Sequence, residues 1–263
     1  MLDKNSNIVI SGANGAVGEI LYKTFLDEKY QVEKLNLEDT SSKDIFIHLA
    51  AKTLNSEDIL ESNLNYLKEC INYCKKVNIK YFIFFSTVSV YGNINVQNVN
   101  EDTNFSNSPN IYGLSKLLGE ELLKEEDFNV VNLRLPAILT KTTTNTFIYK
   151  VNTKLQNNED ITITNSNKIF NNIIDIDSIF NFIINYDFKE KNNTYLLASK
   201  QKESLKDVIL FLKKQNNSSS NIIEKNDKAN FYNIDITKAT KEQNFKAKDI
   251  FHVLEKWQTL LKG

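Results

Sequence analysis

Short apolar runs alternate with longer stretches whose apolar residues recur every three or four positions in the first half of the chain. The short runs are typical of strands buried on both faces, and the longer stretches are typical of helices that bury one face. The predicted strands are 7–10, 32–37, 44–51, 81–86 and 130–135. One helix is predicted to begin near residue 17, and two more are predicted at about 58–77 and 112–124. Because helical crossovers join parallel strands, this alternation predicts an α/β fold with a doubly wound parallel sheet.

The pattern becomes less regular after Pro136. Apolar spacing there predicts helices at about 147–155, 177–186, 204–214, 239–244 and 250–261. It predicts strands at about 161–164 and 192–198. We see no linker long enough to separate independent domains. We therefore expect residues 1–165 to form the sheet domain and residues 166–263 to form a smaller lobe packed against it, with a segment near 173–186 returning to the sheet.

Composition and charge narrow the functional classes. The 32 Lys and Arg nearly balance the 33 Asp and Glu, for a net charge of -1, which argues against a general nucleic-acid binder. No secretory signal opens the sequence and no apolar run reaches the roughly 18 residues that span a bilayer, so we expect a cytoplasmic protein. Cys70 and Cys74 share one predicted helix face without a nearby histidine, which indicates two buried thiols rather than a metal site.

Glycine is concentrated between the first strand and the first helix. The chain has seven glycines, and Gly12, Gly15 and Gly18 fall within seven residues. Glycines at such a turn let the backbone approach a pyrophosphate, and the following helix offers free N–H groups and the positive end of its dipole. The spacing alone is a weak signal, but its place after a strand and before a helix predicts a dinucleotide site rather than a turn without a ligand.

The end of the second strand bears on the choice between NAD and NADP. NAD-binding folds place an acidic residue there for the ribose hydroxyls, whereas this chain has Asn36, with Glu38 and Asp39 just beyond. Asn36 is uncharged and tolerates a 2′-phosphate better than an aspartate does. Lys43 and Lys52 are candidate partners for that phosphate. The sequence leaves the choice between the two cofactors open.

A tyrosine and a lysine four positions apart form the candidate catalytic pair. Tyr112 and Lys116 lie on one face of a predicted helix, where a neighbouring ammonium is expected to lower the pKa of the phenol toward neutrality. Tyr30 and Lys34 have the same spacing but enter a strand, where the helical argument fails. Thr87 stands at the carboxyl end of a predicted strand, from which its hydroxyl can reach the same substrate oxygen as Tyr112.

These motifs, taken in order, resemble the extended short-chain dehydrogenase/reductase family, in its branch of NAD(P)-dependent sugar-nucleotide epimerases, dehydratases and reductases. The segments that carry the resemblance are 11–18, 48–51, 86–92, the pair Tyr112 and Lys116, and 235–239. The resemblance implies a Rossmann-like fold, with residues 1–165 as the NAD(P)-binding domain and residues 166–263 as the substrate-binding lobe. It also implies NAD or NADP as the cofactor.

The resemblance assigns roles to individual residues. Tyr112 would act as general acid and base, Lys116 would hold the nicotinamide ribose, and Thr87 would orient the reacting oxygen. The implied cofactor contacts are Gly12, Asn14, Gly15, Ala16, Val17, Gly18, Asn36, Leu49, Ala50, Ala51, Tyr112, Lys116 and Pro136. The implied substrate contacts are Thr87, Ser89 and Asn171, the last of which stands where many members place an arginine for a nucleotide diphosphate.

Departures from the family pattern limit the reaction. Val88 and Ser89 stand where 4,6-dehydratases of the family carry an acidic pair, so dehydration is disfavoured. Arg134 is the single arginine among the 32 cations, and the substrate-side arginine of the family is missing. The connection between the second strand and Asp44 is also shortened, which removes a strand and a helix beside the adenine pocket.

The leading hypothesis is an NAD(P)-dependent sugar-nucleotide oxidoreductase, either a 4-ketoreductase or a C4 epimerase. The reductase is slightly favoured because the missing substrate-side residues leave no evident way to hold an intermediate that must rotate. A non-catalytic NAD(P)-binding sensor or interaction protein of the same fold is the alternative. The expected partner is a nucleotide sugar, and we expect the protein to bind neither nucleic acid nor a membrane. The resemblance implies a homodimer through the helices near 58–77 and 112–124, although these helix faces would equally well cover the sheet.

Overall fold

A parallel sheet of six strands forms the centre of the computed structural model, which describes residues 1–53, 58–94, 96–106, 109–188, 192–225 and 231–262. The strands are β1 (Ile8–Ser11), β2 (Val32–Lys34), β3 (Ile45–His48), β4 (Tyr81–Thr87), β5 (Asn98–Val99), β6 (Asn129–Leu135), β7 (Ala137–Ile138), β8 (Ile161–Thr164), β9 (Ile173–Ile174), β10 (Asn193–Leu196), β11 (Ile222–Lys225) and β12 (Asn233–Ile234). The helices are α1 (Ala16–Asp27), α2 (Ile59–Lys76), α3 (Ile111–Lys124), α4 (Phe147–Gln156), α5 (Ile176–Asn185), α6 (Leu205–Gln215), α7 (Thr237–Gln243) and α8 (Ile250–Lys262), and a short 3-10 helix covers Val88–Tyr91.

The order of the central strands is β10, β6, β4, β3, β1, β2, and every neighbouring pair is parallel. The chain leaves β1 toward β2 on one side and later places β3 on the other side, so the strand order reverses at β1. This arrangement confirms the predicted doubly wound α/β fold. In such sheets the crevice beyond the carboxyl ends of the strands, at the point of reversal, is where ligands bind.

Helices cover both faces of the sheet. On one face, α1 and α5 pack together, with the rings of Phe25 and Phe180 at 4.9 Å. On the other face, α2 and α3 form a second apolar core that includes Leu67. Cys70 and Cys74 lie in this second core as buried free thiols, as predicted, and burial raises the pKa of Cys70 to about 12.

A third apolar core lies outside the sheet, between α4, α6, α8 and the parallel pair β8 and β11. Trp257 is buried in it, and its indole N–H donates to the Thr140 carbonyl at 3.0 Å. Ser204 and Asp207 form a capping box at the start of α6. Within the described ranges, the structure contains no helix long and apolar enough to cross a membrane.

Candidate active site

A cleft of about 870 Å³ opens at the carboxyl ends of the central strands. It brings together most of the residues singled out in the sequence, namely Gly12, Gly15, Ala16, Val17, Gly18, Leu49, Ala50, Ala51, Thr87, Ser89, Tyr112, Lys116 and Pro136. Asn14 lines a smaller adjoining cavity of about 220 Å³. The glycine loop therefore forms one end of a continuous site, and the tyrosine–lysine pair lies along its wall.

The glycine loop passes close over the end of β3. Gly12 has a φ of +74°, and a Cβ atom at this position would lie 2.6 Å from the backbone nitrogen of Ala50. Only glycine accommodates both the left-handed backbone and this approach. The loop thus places the beginning of α1 at the point where β1 and β3 diverge.

The first turn of α1 presents unpaired amides to the cleft. Gly15 is the N-cap residue and has no side chain to cap the helix, and the bond from the Glu19 amide to the Gly15 carbonyl, at 2.9 Å, is the first within the helix. The amides of residues 16–18 therefore lack an intrahelical partner, and these residues line the cleft. Free amides at a helix N-terminus suit an anionic phosphate, so this end of the cleft fits the pyrophosphate of a dinucleotide.

Tyr112 lies in the first turn of α3, which is seated directly on the 3-10 helix after β4. The Asn110 side chain caps α3 by accepting from the Gly113 amide at 2.7 Å. A Cβ atom at Gly113 would overlap the carbonyl oxygen of Ser89, so glycine here permits the close approach. The contact brings Tyr112 to the same wall of the cleft as Thr87 and Ser89.

Lys116 follows one turn later on α3 and is 3% exposed. Its ammonium lies over the ring of Phe84, 4.6 Å from the ring centre. Burial lowers the pKa of Lys116 to about 7, opposed by the charge of Glu120. Burial also raises the pKa of Tyr112 to about 12.

These pKa shifts correct the expectation that Lys116 lowers the pKa of Tyr112. Lys116 is buried and Tyr112 is half-buried, and a less polar environment favours the neutral form of each. At neutral pH Tyr112 is accordingly a protonated phenol, which is a proton donor. Lys116 is close to its midpoint of titration at the same pH.

A buried ion pair beneath the cleft holds α3 to β4 and β6. Arg134 Nη2 donates to Glu120 Oε2 at 2.7 Å, and its Nε donates to Glu120 Oε1 at 3.1 Å. The Ser86 hydroxyl donates to the same carboxylate, while Arg134 Nη1 donates to the Tyr91 hydroxyl at 2.9 Å. The single arginine of the chain is therefore part of the scaffold. Glu120 is a structural residue with no predicted role, although its place one turn after Lys116 was a signal in the sequence.

Asn171 does not reach the cleft, which corrects its predicted contact with the substrate. Its side-chain amide donates to the carbonyls of Ser199 and Ile234 at 3.2 and 2.8 Å, and its oxygen accepts from the Ile234 amide at 3.0 Å. These three bonds hold the side chain against backbone groups away from the cleft, and Asn171 is 0% exposed. The next residue, Asn172, lines the cleft instead.

Asn172 lies between the cleft and a second cavity of about 450 Å³. Its side-chain oxygen is buried without a hydrogen-bond partner among the described residues. Buried polar atoms in native proteins are normally paired, so the unpaired oxygen at this junction is free to accept a hydrogen bond from a ligand. The second cavity has a largely apolar lining that includes the aromatic residues Phe147, Phe170, Phe231 and Tyr232. None of these aromatic residues was predicted as a site residue from the sequence.

The residues expected around a 2′-phosphate are arranged differently from the prediction. Asn36 is exposed beyond the end of β2, and its side chain accepts from the Glu38 amide at 3.2 Å. The side chain of Lys43 is 4% exposed and is bound by Glu33 at 2.6 Å and Asp39 at 2.9 Å. Bonds to these two carboxylates make the buried Lys43 ammonium unavailable to a phosphate, which corrects the prediction that Lys43 is a candidate partner.

Lys52, the other lysine expected near that phosphate, lies on the surface. Its side chain is 52% exposed and pairs with Asp58 at 2.7 Å. It is absent from the described linings of both the cleft and the smaller adjoining cavity. The structure therefore offers no contact from Lys52 to the adenosine end of the site.

Comparisons with known proteins agree with this geometry. The family model of the NAD dependent epimerase/dehydratase family matches residues 34–177. A search of curated proteins found no match. Similar solved structures include the Bordetella bronchiseptica enzyme WbmG in complex with NAD and UDP, at 15% identity and a TM-score of 0.79, covering 98% of this chain and 96% of that one.

Two further structures share the fold at similar coverage. UDP-N-acetylglucosamine 4-epimerase from Bacillus cereus is 20% identical with a TM-score of 0.77, covering 98% of this chain and 97% of that one. RMD from Pseudomonas aeruginosa, complexed with NADPH, is 15% identical with a TM-score of 0.77, covering 97% of this chain and 99% of that one. At these identities the likeness establishes the fold.

Proposed function

This chain belongs to the NAD dependent epimerase/dehydratase family, and on that premise we propose that it is an NAD(P)-dependent oxidoreductase of a nucleotide sugar, acting as a 4-ketoreductase or a C4 epimerase. The observation that carries the proposal is the shared cleft of Tyr112, Lys116 and the uncapped first turn of α1. The pyrophosphate of the cofactor would be bound by the amides of residues 16–18. Lys116 and Tyr112 would contact its nicotinamide ribose.

Reduction of a ketone requires a hydride at the carbon and a proton at the oxygen. The nicotinamide supplies the hydride when the cofactor is bound, and Tyr112 gives the proton to the carbonyl oxygen as the alcohol forms. Thr87 is 7% exposed at the end of β4, and its hydroxyl would position the same oxygen.

The substrate side of the site leads us to favour reduction over epimerisation. Reduction needs one hydride and one proton from Tyr112, whereas a C4 epimerase must also hold a keto intermediate that rotates. Arg134 is bound within the scaffold and Asn171 is bonded to backbone groups, so neither side chain is available in the cleft to hold that intermediate. We therefore favour the 4-ketoreductase.

The unpaired oxygen of Asn172 and the neighbouring apolar cavity support a substrate that extends beyond the reacting sugar. The Asn172 oxygen would accept a hydrogen bond from a sugar hydroxyl, and Phe147 or Phe170 would stack against a base. The solved structures of WbmG with NAD and UDP and of UDP-N-acetylglucosamine 4-epimerase support a nucleotide-linked substrate. Because Arg134 is held in the scaffold, neutral donors would contact the diphosphate in place of an arginine.

The proposal includes the homodimer that the family resemblance implies. The outer face of α3 exposes Ile111 and Leu118, at 47% and 37%. A partner copy seated on this face would remove both side chains from water. On its inner side α3 packs Leu123 and Gly119 against the sheet and α2, so the two faces of the helix have separate uses.

Replacing Tyr112 with phenylalanine tests the proposal. We expect Tyr112→Phe to lower the turnover of a 4-keto nucleotide sugar by about 10²- to 10⁴-fold, because the proton donor is lost. Binding of the reduced cofactor, followed by calorimetry, should weaken by less than about tenfold, because only one hydrogen bond to the ribose is lost. Tyr30→Phe is the matched control, because Tyr30 has the same spacing to a lysine but is buried in the core between α1 and α5.

Two outcomes would contradict the proposal in different ways. Unchanged turnover in Tyr112→Phe would remove Tyr112 from the mechanism. Cofactor binding by the unaltered protein, without turnover of any nucleotide sugar in a panel of keto and hydroxyl forms, would support the non-catalytic alternative.

A further inference from the structure

The small cavity beside the glycine loop is suited to the adenosine end of the cofactor. It has a volume of about 220 Å³ and lies between the loop, the end of β2 and α2, with Asn14, Lys34 and Tyr66 in its wall. It shares Gly12 and Ala50 with the cleft. A dinucleotide whose pyrophosphate rests on α1 would extend its adenosine into this space, which makes the inference dependent on the proposed function.

Among the residues that the structure describes, Lys34 is the only charged residue that lines this cavity. Its ammonium donates to the Asn14 side-chain oxygen at 2.7 Å and lies over the ring of Tyr22, 5.3 Å from the ring centre. An ammonium has three donors, so the bond to Asn14 leaves capacity for an anionic ligand. Lys34 thus presents positive charge where a carboxylate would serve an NAD-binding site.

Glu33, Asp39 and Glu19 are the carboxylates near Lys34 with described ion pairs, and none of them lines the cavity. Glu33 is the residue before Lys34, on the opposite side of the strand, and binds Lys43 at 2.6 Å. Asp39 binds the same lysine at 2.9 Å. Glu19 of α1 is close enough for Lys34 to contribute to lowering its pKa, and its carboxylate is held by Lys23 at 2.7 Å. All three carboxylates therefore have a lysine partner other than Lys34.

We propose that Lys34, supported by Asn14, binds the 2′-phosphate of the adenosine ribose and makes NADP(H) the preferred cofactor of this protein. A carboxylate at the end of β2 accepts hydrogen bonds from the ribose hydroxyls of NAD and repels a phosphate, whereas a cation attracts the phosphate. This inference goes beyond the proposed function, because that function requires only that one of the two cofactors be bound.

Calorimetric binding to the full chain tests the preference without any turnover. The titrants are NADPH, NADH, 2′,5′-ADP and 5′-AMP, the last pair isolating the 2′-phosphate from the nicotinamide. We expect NADPH and 2′,5′-ADP to bind at least about tenfold more tightly than NADH and 5′-AMP, as expected for a charge-assisted contact. In Lys34→Gln each preference should fall to within about threefold of unity, while the affinity for NADH is retained.

Lys52→Gln is the control, because Lys52 is exposed and paired with Asp58 outside the cavity. It should keep the full preference for NADPH, and circular dichroism should show both variants folded. Equal binding of NADH and NADPH by the unaltered protein overturns the role of Lys34 and leaves the proposed function intact. Loss of the preference in Lys52→Gln but not in Lys34→Gln also overturns it. Binding of neither dinucleotide overturns the proposed function together with this inference.

Discussion

Lys116 and Glu120 occupy consecutive turns of α3, and both side chains are buried. Glu120 is bound by Arg134 and Ser86, so its charge is matched and held. Lys116 lies over the Phe84 ring, and burial brings its pKa to about 7. Hydrogen bonds therefore hold the charge of Glu120 in place, whereas the charge of Lys116 changes near neutral pH.

The difference follows from what surrounds each turn. Glu120 faces the ends of β4 and β6, where Ser86 and Arg134 are neighbours in the strand register. Lys116 faces the cleft, where a ligand rather than the protein would complete its surroundings. A buried charge without a partner destabilises the fold, and such perturbed groups concentrate at functional sites. The comparison therefore separates the scaffold from the candidate catalytic group within one helix.

The largest expected effect comes from breaking the matched charge. Arg134→Met removes the partner of Glu120 and leaves a carboxylate buried at 2% exposure. We expect a loss of about 3–5 kcal/mol in the free energy of unfolding, which urea titration would measure. Replacing both residues by methionine should recover most of this loss, because no buried charge remains.

Lys124→Gln is the control for this experiment. Lys124 pairs with Glu121 at 2.5 Å on the same helix, but both side chains are more than half exposed. Loss of an exposed pair should change the free energy of unfolding by less than about 1 kcal/mol. A similar small loss in Arg134→Met would mean that the buried pair is not a structural anchor, and the contrast with Lys116 would disappear.

The second prediction concerns the unmatched charge. Lys116→Met should raise the free energy of unfolding of the cofactor-free protein by on the order of 2 kcal/mol at pH 6, because a buried ammonium is replaced by an apolar side chain of similar length. The same variant should lose turnover. Stability and function would then be opposed at this position, as expected for a group that is buried for its chemistry.

The gain in stability should depend on pH in a defined direction. The folded protein holds Lys116 at a pKa of about 7, below its ordinary value of 10.5, so the unfolded chain binds more protons between these two pH values. Stability of the unaltered protein from this group therefore rises with pH across that window. The advantage of Lys116→Met should be full below about pH 7 and vanish above about pH 10.5. An advantage independent of pH would show that packing, not charge, is responsible.

The same contrast explains how far the sequence could predict the molecule. The glycine loop and the spacing of Tyr112 and Lys116 are local patterns, and the structure brings these residues to one cleft. The pair of Glu120 and Arg134 depends on which strands lie side by side, which no local pattern contains. The direction of the Tyr112 pKa shift depends on burial, so the sequence alone predicted the opposite sign.

Asn171 shows the limit at the scale of one residue. The sequence places an asparagine at the right point along the chain, but the turn before β9 decides which of two adjacent asparagines faces the cleft. Asn171 is taken up by backbone groups of other segments, and Asn172 is left with the unpaired oxygen. Side-chain direction in such a connection is set by tertiary contacts rather than by periodicity.

The smallest expected effect separates two serines on either side of Thr87. Ser86 donates to Glu120 inside the scaffold, whereas Ser89 lines the cleft. Ser86→Ala should cost about 1 kcal/mol in the free energy of unfolding and leave the KM for the nucleotide sugar within about twofold, because Arg134 still holds the carboxylate. Ser89→Ala should do the reverse, raising KM several-fold with little effect in urea titration. If both substitutions raised KM equally, Ser86 would contribute to the substrate site as well as to the scaffold. The separation between scaffold and site that Glu120 and Lys116 show on α3 would then not hold for Ser86 and Ser89.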